Sequence, residues 1–308
     1  MLEDAVVRLS DVELVRTHFR LGPINLKIPK GYVTAIVGPN GSGKSTTFRM
    51  LLDISKPSAG KIELMGRPAD SDDPGIKNRI GYVAEEPFQH ENGLKGSDKA
   101  EFHRGWYPNW DVNRYHEMLR QFEVDPNLRL GKMSKGMRRK FELALAMAHD
   151  PELLLLDEPS SGLDPLAWRT MITMLHRYME GGDRTILMAS HVIEEVKRLA
   201  DYIVFMVQGR VLGMYEKDEL LTGWHIFYVQ EQQAAASILD RMPGLCAIER
   251  SGSMTKAVSN RAYEAEEWLK HEGIVPSGRQ ALELDDILAV LVEKERLQSR
   301  QERKEFIR

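Results

Sequence analysis

The sequence predicts an α/β fold over its first two thirds and a smaller α+β module after it. Three observations carry that reading. A nearly continuous apolar run, Tyr32–Val37, ends in the glycine-rich segment GPNGSGKS (Gly38–Ser45), and a stretch with helical apolar spacing comes directly after it. Two more continuous apolar runs, Glu152–Pro159 (ELLLLDEP) and Arg184–Ser190 (RTILMAS), have the character of strands covered on both faces. Beyond about Trp224 the pattern becomes β and α segments in the order βαββαβ with one further helix.

Taken in order, the N-terminal third reads as strands. Ile24–Ile28 (INLKI) alternates apolar and polar residues, as a half-buried strand does, and Pro29-Lys30-Gly31 punctuates it before Tyr32–Val37. After the glycine-rich segment, Phe48, Leu51 and Leu52 fall at helical spacing. From roughly Asn92 to Leu130 the character changes. Asp111 is a good helix N-cap, and Val112, Tyr115, Leu119 and Phe122 recur at three and four, which predicts an amphipathic helix in a small helical subdomain spanning about 90–140. Asp201–Tyr215 reads as a hairpin turning near Gln208-Gly209. The C-terminal module is predicted as strand His225–Val229, helix Gln232–Asp240, strands Cys246–Arg250 and Thr255–Ser259, helix Tyr263–His271, a short strand near Gln280–Leu284 and a helix from Asp285. That order fits a ferredoxin-like module with a charged tail, and it divides the chain into 1–222 and 223–308.

Composition narrows the class. The chain has 308 residues, 42% of them hydrophobic, which suits one large domain plus a smaller one. A net charge of −4 gives no global signature of a nucleic-acid binder. A single cysteine, Cys246, forms no internal disulfide and no metal spacing; it reads as a small buried hydrophobe in a reducing compartment. No run approaches the ~18 consecutive apolar residues of a membrane span. The acidic start MLEDAVVRLSDVEL lacks a signal-peptide pattern, so a cytoplasmic chain is expected, with any membrane role passing through a partner.

The chemistry concentrates in two segments. GPNGSGKS fits G-x-x-x-x-G-K-[ST] between a predicted strand and a predicted helix, the context in which that motif wraps phosphate. Backbone N–H groups of Asn40, Gly41, Ser42, Gly43 and Thr46 then point at phosphate oxygens, Lys44 reaches the β- and γ-phosphates, and the Ser45 hydroxyl ligates Mg²⁺. A glycine-rich turn with no ligand is the plain alternative. LLLLDEP delivers Asp157 and Glu158 at the tip of a buried strand. Asp157 is then placed to hold the Mg²⁺ shell and Glu158 to act as general base on the attacking water. Taken alone, such a pair can also be a helix-capping turn.

These segments, together with MSKGM (Met133–Met137), SGLDP (Ser161–Pro165) and Ser190-His191, come in the order and approximate spacing of ABC-transporter ATPase subunits. The resemblance covers roughly residues 1–222. It implies a P-loop NTPase of ABC type, with a RecA-like core, a β-rich N-terminal part and a helical subdomain. It implies ATP and Mg²⁺ as ligands, and a head-to-tail homodimer or heterodimer with two ATP molecules between the subunits. It further implies that Asp164 communicates across the interface and that His191 contacts the γ-phosphate. Trp106–Asp111 (WYPNWD), SKGM and TTFRMLL resemble the exporter branch linked to bacitracin-type antimicrobial efflux, whose ATPase subunits work peripherally on the membrane through separate transmembrane permeases. WYPNWD then reads as subdomain core, as a face that docks the membrane subunit, or as both.

Three positions depart from the family pattern. Glu85, in GYVAEEP, stands where a glutamine is usual; a carboxylate there can ligate Mg²⁺ or be a solvated loop acid. The adenine-stacking aromatic is replaced near its place by Arg16, with His18 and Phe19 close by; Arg16 or Phe19 can stack on the base, and Phe19 can equally be core. In the Leu-Ser-Gly-Gly-Gln position stands Met133–Met137, which keeps Ser134 and Gly136, the groups aimed at the partner's γ-phosphate. Lys135 there can neutralise phosphate or be solvated, and Arg138, Arg139 and Lys140 read as a solvated helix face. Rival readings are a non-transport ABC ATPase of DNA maintenance or translation, and an importer subunit. The absence of a long heptad segment and the single ATPase domain disfavour the first, and WYPNWD with SKGM disfavours the second.

Overall fold

The computed structural model describes residues 4–17, 19–71, 73–87, 89–230 and 236–306. It resolves into two compact units, 1–214 and 215–308. In chain order the first unit carries strands β1 (Ala5–Arg16), β2 (Phe19–Pro29) and β3 (Val33–Val37), helix α1 (Lys44–Leu51), strands β4 (Ala59–Leu64) and β5 (Arg67–Pro68), a short α2 (Pro74–Lys77) and β6 (Ile80–Val83). Helices α3 (Gly96–Trp106), α4 (Val112–Phe122) and α5 (Lys135–Met147) form the helical part. They are followed by β7 (Leu153–Asp157), α6 (Pro165–Met179), β8 (Thr185–Ser190), α7 (Ile193–Leu199), β9 (Tyr202–Val207) and β10 (Arg210–Glu216).

Two sheets organise this unit. The first is antiparallel, in the order β2-β1-β4-β5; the second runs β10-β9-β3-β8-β7-β6, with β9, β3, β8, β7 and β6 mutually parallel. Every residue of β3, β7 and β8 is buried, which is why these strands read as unbroken apolar runs rather than alternating ones. One core cluster joins Val7, Leu9 and Ile24 of the antiparallel sheet to Phe48 and Leu51 of α1 and to Leu153 and Leu155 of β7. Helix α1 is thereby held between the sheets, and its N-terminus is fixed at the C-terminal edge of β3.

The parallel register aligns the strand ends. Val37 pairs with Ser190, Asp157 with Ala189, and Val83 with Leu156. The ends of β3, β8, β7 and β6 therefore stop at one edge of the sheet, and the segments that leave them emerge side by side. In open α/β sheets this carboxyl edge is where ligands bind.

In the helical part, the Asp111 side chain caps α4 by accepting from Arg114 N at 3.0 Å. Tyr115, Leu119 and Phe122 are buried as the spacing predicts, but Val112 is 40% exposed, because the buried stripe starts one turn later and takes in Met118 instead.

The second unit contains α8 (Lys217–Gly223), β11 (His225–Gln230), α9 (Ala236–Leu239), β12 (Leu245–Ser251), β13 (Met254–Ser259), α10 (Ala262–His271), β14 (Gly278–Ala281) and α11 (Leu284–Phe306). Its sheet order, β12-β13-β11-β14, with antiparallel pairing throughout, is the split βαβ arrangement of ferredoxin-like modules. Phe227, Val229 and Ala257 of the sheet pack with Leu239, Ala265 and Leu269 of the helices. Cys246 is half-buried rather than buried, and its Sγ lies 3.3 Å from Gly244 O. The first part of the predicted helix from Gln232 lies outside the described residues.

Candidate active site

The loop from Gly38 to Gly43 delivers α1 without a side-chain cap: Gly43 is the N-cap, at φ 111°, and the first turn holds no acidic residue. Uncapped N–H groups at a helix start form a ready anion site. Glycine is required at 43 for two reasons. The backbone is left-handed there, and a Cβ would come within 2.7 Å of Leu21 Cδ1. Lys44 is 6% exposed. Its Nζ donates to Gly38 O at 2.8 Å and to Pro39 O at 3.4 Å, and lies 3.8 Å from Glu158 Oε1. Asn40 and Gly41 are exposed, Thr46 is half-buried, and Ser42 is buried with no hydrogen-bond partner for its Oγ among the described residues.

Across the sheet edge, Ser45 Oγ donates to Asp157 Oδ1 at 3.1 Å. Burial pushes the Asp157 carboxyl up to about 6; the charges of Glu85 and Glu158 add to the rise, while the Ser45 hydrogen bond and Lys44 oppose it. The Ser45 hydroxyl and the Asp157 carboxylate, with Glu85 and Glu158 near enough to raise it, are oxygen donors of the kind a hard divalent cation takes, so these residues fit Mg²⁺. Glu158 is 4% exposed and sits at φ 50°, a sparsely populated conformation for a residue with a side chain. Its backbone N–H donates to Ala189 O at 2.9 Å, which ties it to the end of β8. There, Glu158 Oε2 accepts from His191 N at 3.3 Å and lies 2.7 Å from His191 Nδ1. The carboxylate thus stands between Lys44 and His191.

Ser134 is exposed and caps α5, accepting from Met137 N at 3.2 Å. Gly136 abuts the turn after Glu158: a Cβ there would lie 2.6 Å from Gly162 O. Asp164 caps α6 by accepting from Leu166 N and Ala167 N, both at 2.9 Å. Arg138 and Arg139 do not form a solvated face; they are 4% and 6% exposed. Arg138 pairs with Glu91 at 2.7 Å and Glu142 at 2.6 Å, and Lys99 pairs with the same two carboxylates. Arg139 donates to the Ala84 and Glu85 carbonyls and, at 3.4 Å, to Asp157 O. The physical reason is tertiary: the loop after β6 brings the Glu91 carboxylate to Arg138 and the Ala84 and Glu85 carbonyls to Arg139, although Arg138 Nη1 keeps no partner among the described residues. Glu85 itself is exposed.

Of the two base-stacking candidates, Phe19 lies at the phosphate loop, its ring tip 3.5 Å from the position of a Gly43 Cβ. Arg16 is turned to Ser55, donating to its Oγ at 2.8 Å. His18 lies outside the described residues. Sequence reasoning missed Arg139, Lys99 and the fully buried Glu195. Only Glu195 left a signal, an acidic pair shortly after Ser190-His191.

Residues 21–161 match the family model described as ABC transporter. An uncharacterized ABC transporter ATP-binding protein of Nostoc sp. is 34% identical over 275 residues, covering 84% of this chain and 81% of that protein. The chain belongs to the ABC transporter ATP-binding family. The bacitracin transport ATP-binding protein BcrA of Bacillus licheniformis is 32% identical over 205 residues, and the match spans 64% of this chain and 65% of that relative. A solved ATP-binding subunit of an ABC transporter superposes with a TM-score of 0.63 at 25% identity, covering 70% of this chain and 92% of that one. The ABC subunit is therefore an ATPase that binds ATP, and ABC ATPases dimerise and act with transmembrane subunits. Among the described residues of this ABC chain no helix is long and apolar enough to cross a membrane.

Proposed function

We propose that this chain is the ATP-hydrolysing subunit of an ABC exporter and drives transport through separate transmembrane permeases. The observation that carries the hydrolytic part is the convergence of Lys44, Asp157, Glu158 and His191 at one sheet edge, with Glu158 between the lysine and the histidine. The first unit's loop holds the phosphates on backbone N–H groups, and Lys44 pairs with their outer oxygens. Ser45, Asp157 and Glu85 are the oxygen donors for Mg²⁺, which when bound neutralises phosphate charge. Glu158 orients water in line with the γ-phosphate and takes its proton, while His191 steadies that carboxylate and reaches the γ-phosphate. Phe19, rather than Arg16, faces the nucleotide base.

The dimer is read as head-to-tail, with Ser134 and Gly136 presented to the nucleotide of the opposite subunit and Asp164 near the shared interface. Support comes from the exposure of Ser134 and from its position at a helix start. Ser134→Arg is expected to leave ATP affinity of the isolated subunit within about twofold, because no loop contact is touched, and to abolish ATP-dependent dimer closure and turnover. Equilibrium nucleotide binding and gel filtration with ATP read the two effects. Normal hydrolysis by that variant removes the cradle assignment.

Exporter function rests on the similarity to the bacitracin transport protein and on an opening in the helical part. A cavity of about 360 Å³ lies between the α/β core and α3 and α5, lined by Tyr82, Pro87, His103, Tyr107, Leu145 and His149. Beside it α3 exposes Phe102 (65%) and Trp106 (66%), an i, i+4 pair. WYPNWD then serves both readings: Tyr107 stacks on buried His149 at 3.9 Å while Trp106 faces outward. The test is purification with the associated membrane proteins. Permease-stimulated ATPase is expected in the wild type, and Phe102→Glu with Trp106→Glu is expected to lose the stimulation and retain basal hydrolysis. ATP-driven uptake into inside-out vesicles marks export; uptake only into right-side-out vesicles overturns it.

A further inference from the structure

Behind the hydrolytic site lies a carboxylate with no part in the proposed hydrolysis. Glu195, on α7, has no exposed surface. Its Oε2 accepts from Ser160 Oγ at 2.6 Å and from Ser190 Oγ at 3.2 Å. Ser160 stands two residues after Glu158, and Ser190 immediately precedes His191. Ser190 Oγ also accepts from Val192 N at 3.0 Å, so the histidine is flanked on both sides by this small network. Two clamps therefore join the same pair of segments. One is the Glu158–His191 contact at the site; the other is Ser160–Glu195–Ser190, in the core behind it.

We propose that Glu195 is a positioning residue for hydrolysis: one carboxylate oxygen holds the turn after Glu158 and the end of β8 in a single register, so that Glu158 and His191 are set together. The proposal rests on the general-base role of Glu158 and the γ-phosphate contact of His191. A packing role alone accounts poorly for a charged group here. A buried carboxylate is costly, and an apolar side chain of similar volume fills such a space more cheaply. Glu195 Oε1 has no hydrogen-bond partner among the described residues, so half of the group is unsatisfied. Burial pushes its carboxyl up to about 7 even though both serine hydroxyls pull it down. A group retained at that cost, bonded to both catalytic segments by its other oxygen, is explained by the register it imposes. The segment it grips on one side, Ser160, leads directly into the Gly162 turn and the Asp164 cap of α6, so the clamp also fixes how that turn leaves the site.

The experiment uses the full chain and four variants, Glu195→Leu, Glu195→Gln, Ser160→Ala and the Glu195→Leu/Ser160→Ala double. Circular dichroism and ATP affinity are read alongside kcat and KM. Glu195→Leu is expected to keep ATP affinity and KM and to lower kcat on the order of 10- to 100-fold, the scale of a slightly misplaced catalytic group. Glu195→Gln retains an acceptor oxygen and is expected to restore most of the rate. Ser160→Ala is expected to lower kcat, and the double variant to be no slower than Glu195→Leu, because both changes break one connection. Wild-type kcat in folded Glu195→Leu overturns the proposal, as do rate losses that multiply in the double variant. If Glu195→Leu does not fold, Ser160→Ala and Ser190→Ala decide. Non-additive kcat losses in the Ser160→Ala/Ser190→Ala double at constant KM support the clamp, and losses that multiply, or wild-type kcat in both single variants, overturn it. Failure of the underlying hydrolytic assignment appears separately, as normal turnover by Glu158→Gln.

Discussion

Glu158→Gln is expected to bind ATP as the wild type does and to hydrolyse it more slowly by about 10²- to 10⁴-fold, the range for loss of a general base. Glutamine has the same shape, so the contact with His191 and the approach to Lys44 are preserved while the proton acceptor is lost. The substitution also removes one negative charge from a pocket already crowded by Asp157 and Glu195, whose carboxyls the Glu158 charge helps to raise. The folded protein should therefore melt no lower than wild type. With hydrolysis blocked, ATP is expected to hold the subunits together. Phosphate release, bound nucleotide and gel filtration in the presence of ATP give three independent readings. Wild-type phosphate release removes Glu158 from the base role, whatever the other two show.

Lys44→Ala acts earlier in the cycle. Lys44 is a buried cation whose ammonium is held between the loop carbonyls and Glu158. Charge-assisted hydrogen bonds contribute about 1.5–3 kcal/mol each, so losing one that spans two phosphates predicts an ATP affinity weaker by on the order of 10- to 100-fold. Turnover should fall below detection at concentrations that saturate the wild type. Calorimetric titration with ATP measures the first effect and a phosphate assay the second. Unchanged affinity overturns the placement of triphosphate along this loop.

Much of the hydrolytic edge was legible in the sequence because it consists of local demands. A strand buried on both faces must be apolar throughout, and Leu153–Leu156 is. A loop that wraps an anion into an uncapped helix needs glycine at position 43, where the backbone is left-handed and Leu21 leaves no room for a Cβ. What stayed hidden depends on residues far apart in the chain. Arg138 and Arg139 look like surface charge until Glu91, 47 positions away from Arg138, and the carbonyls of Ala84 and Glu85, 55 and 54 away from Arg139, close over them. The opening segment reads as acidic and without a signal-peptide pattern, yet it supplies β1, a twelve-residue strand of the antiparallel sheet whose apolar side chains pack in one core with α1. Local inspection leaves Arg16 or Phe19 open as the base-stacking group and Phe19 open as core; the partners they find, Ser55 for Arg16 and both the core cluster and the phosphate loop for Phe19, are tertiary facts.

The contact of Gly136 with the Gly162 carbonyl has a kinetic meaning for a head-to-tail pair. Gly162 belongs to the turn that leaves a subunit's own Glu158, whereas Gly136 belongs to the segment that the proposed pair offers to the other subunit's nucleotide. A Cβ at Gly136 would lie 2.6 Å from the Gly162 carbonyl, and the Lys135 side chain lies against Gly162, so little room is left for either segment to shift without the other. In the proposed pair the two ATP molecules are then not expected to run on separate clocks, and the natural unit of turnover becomes the pair of sites rather than either alone.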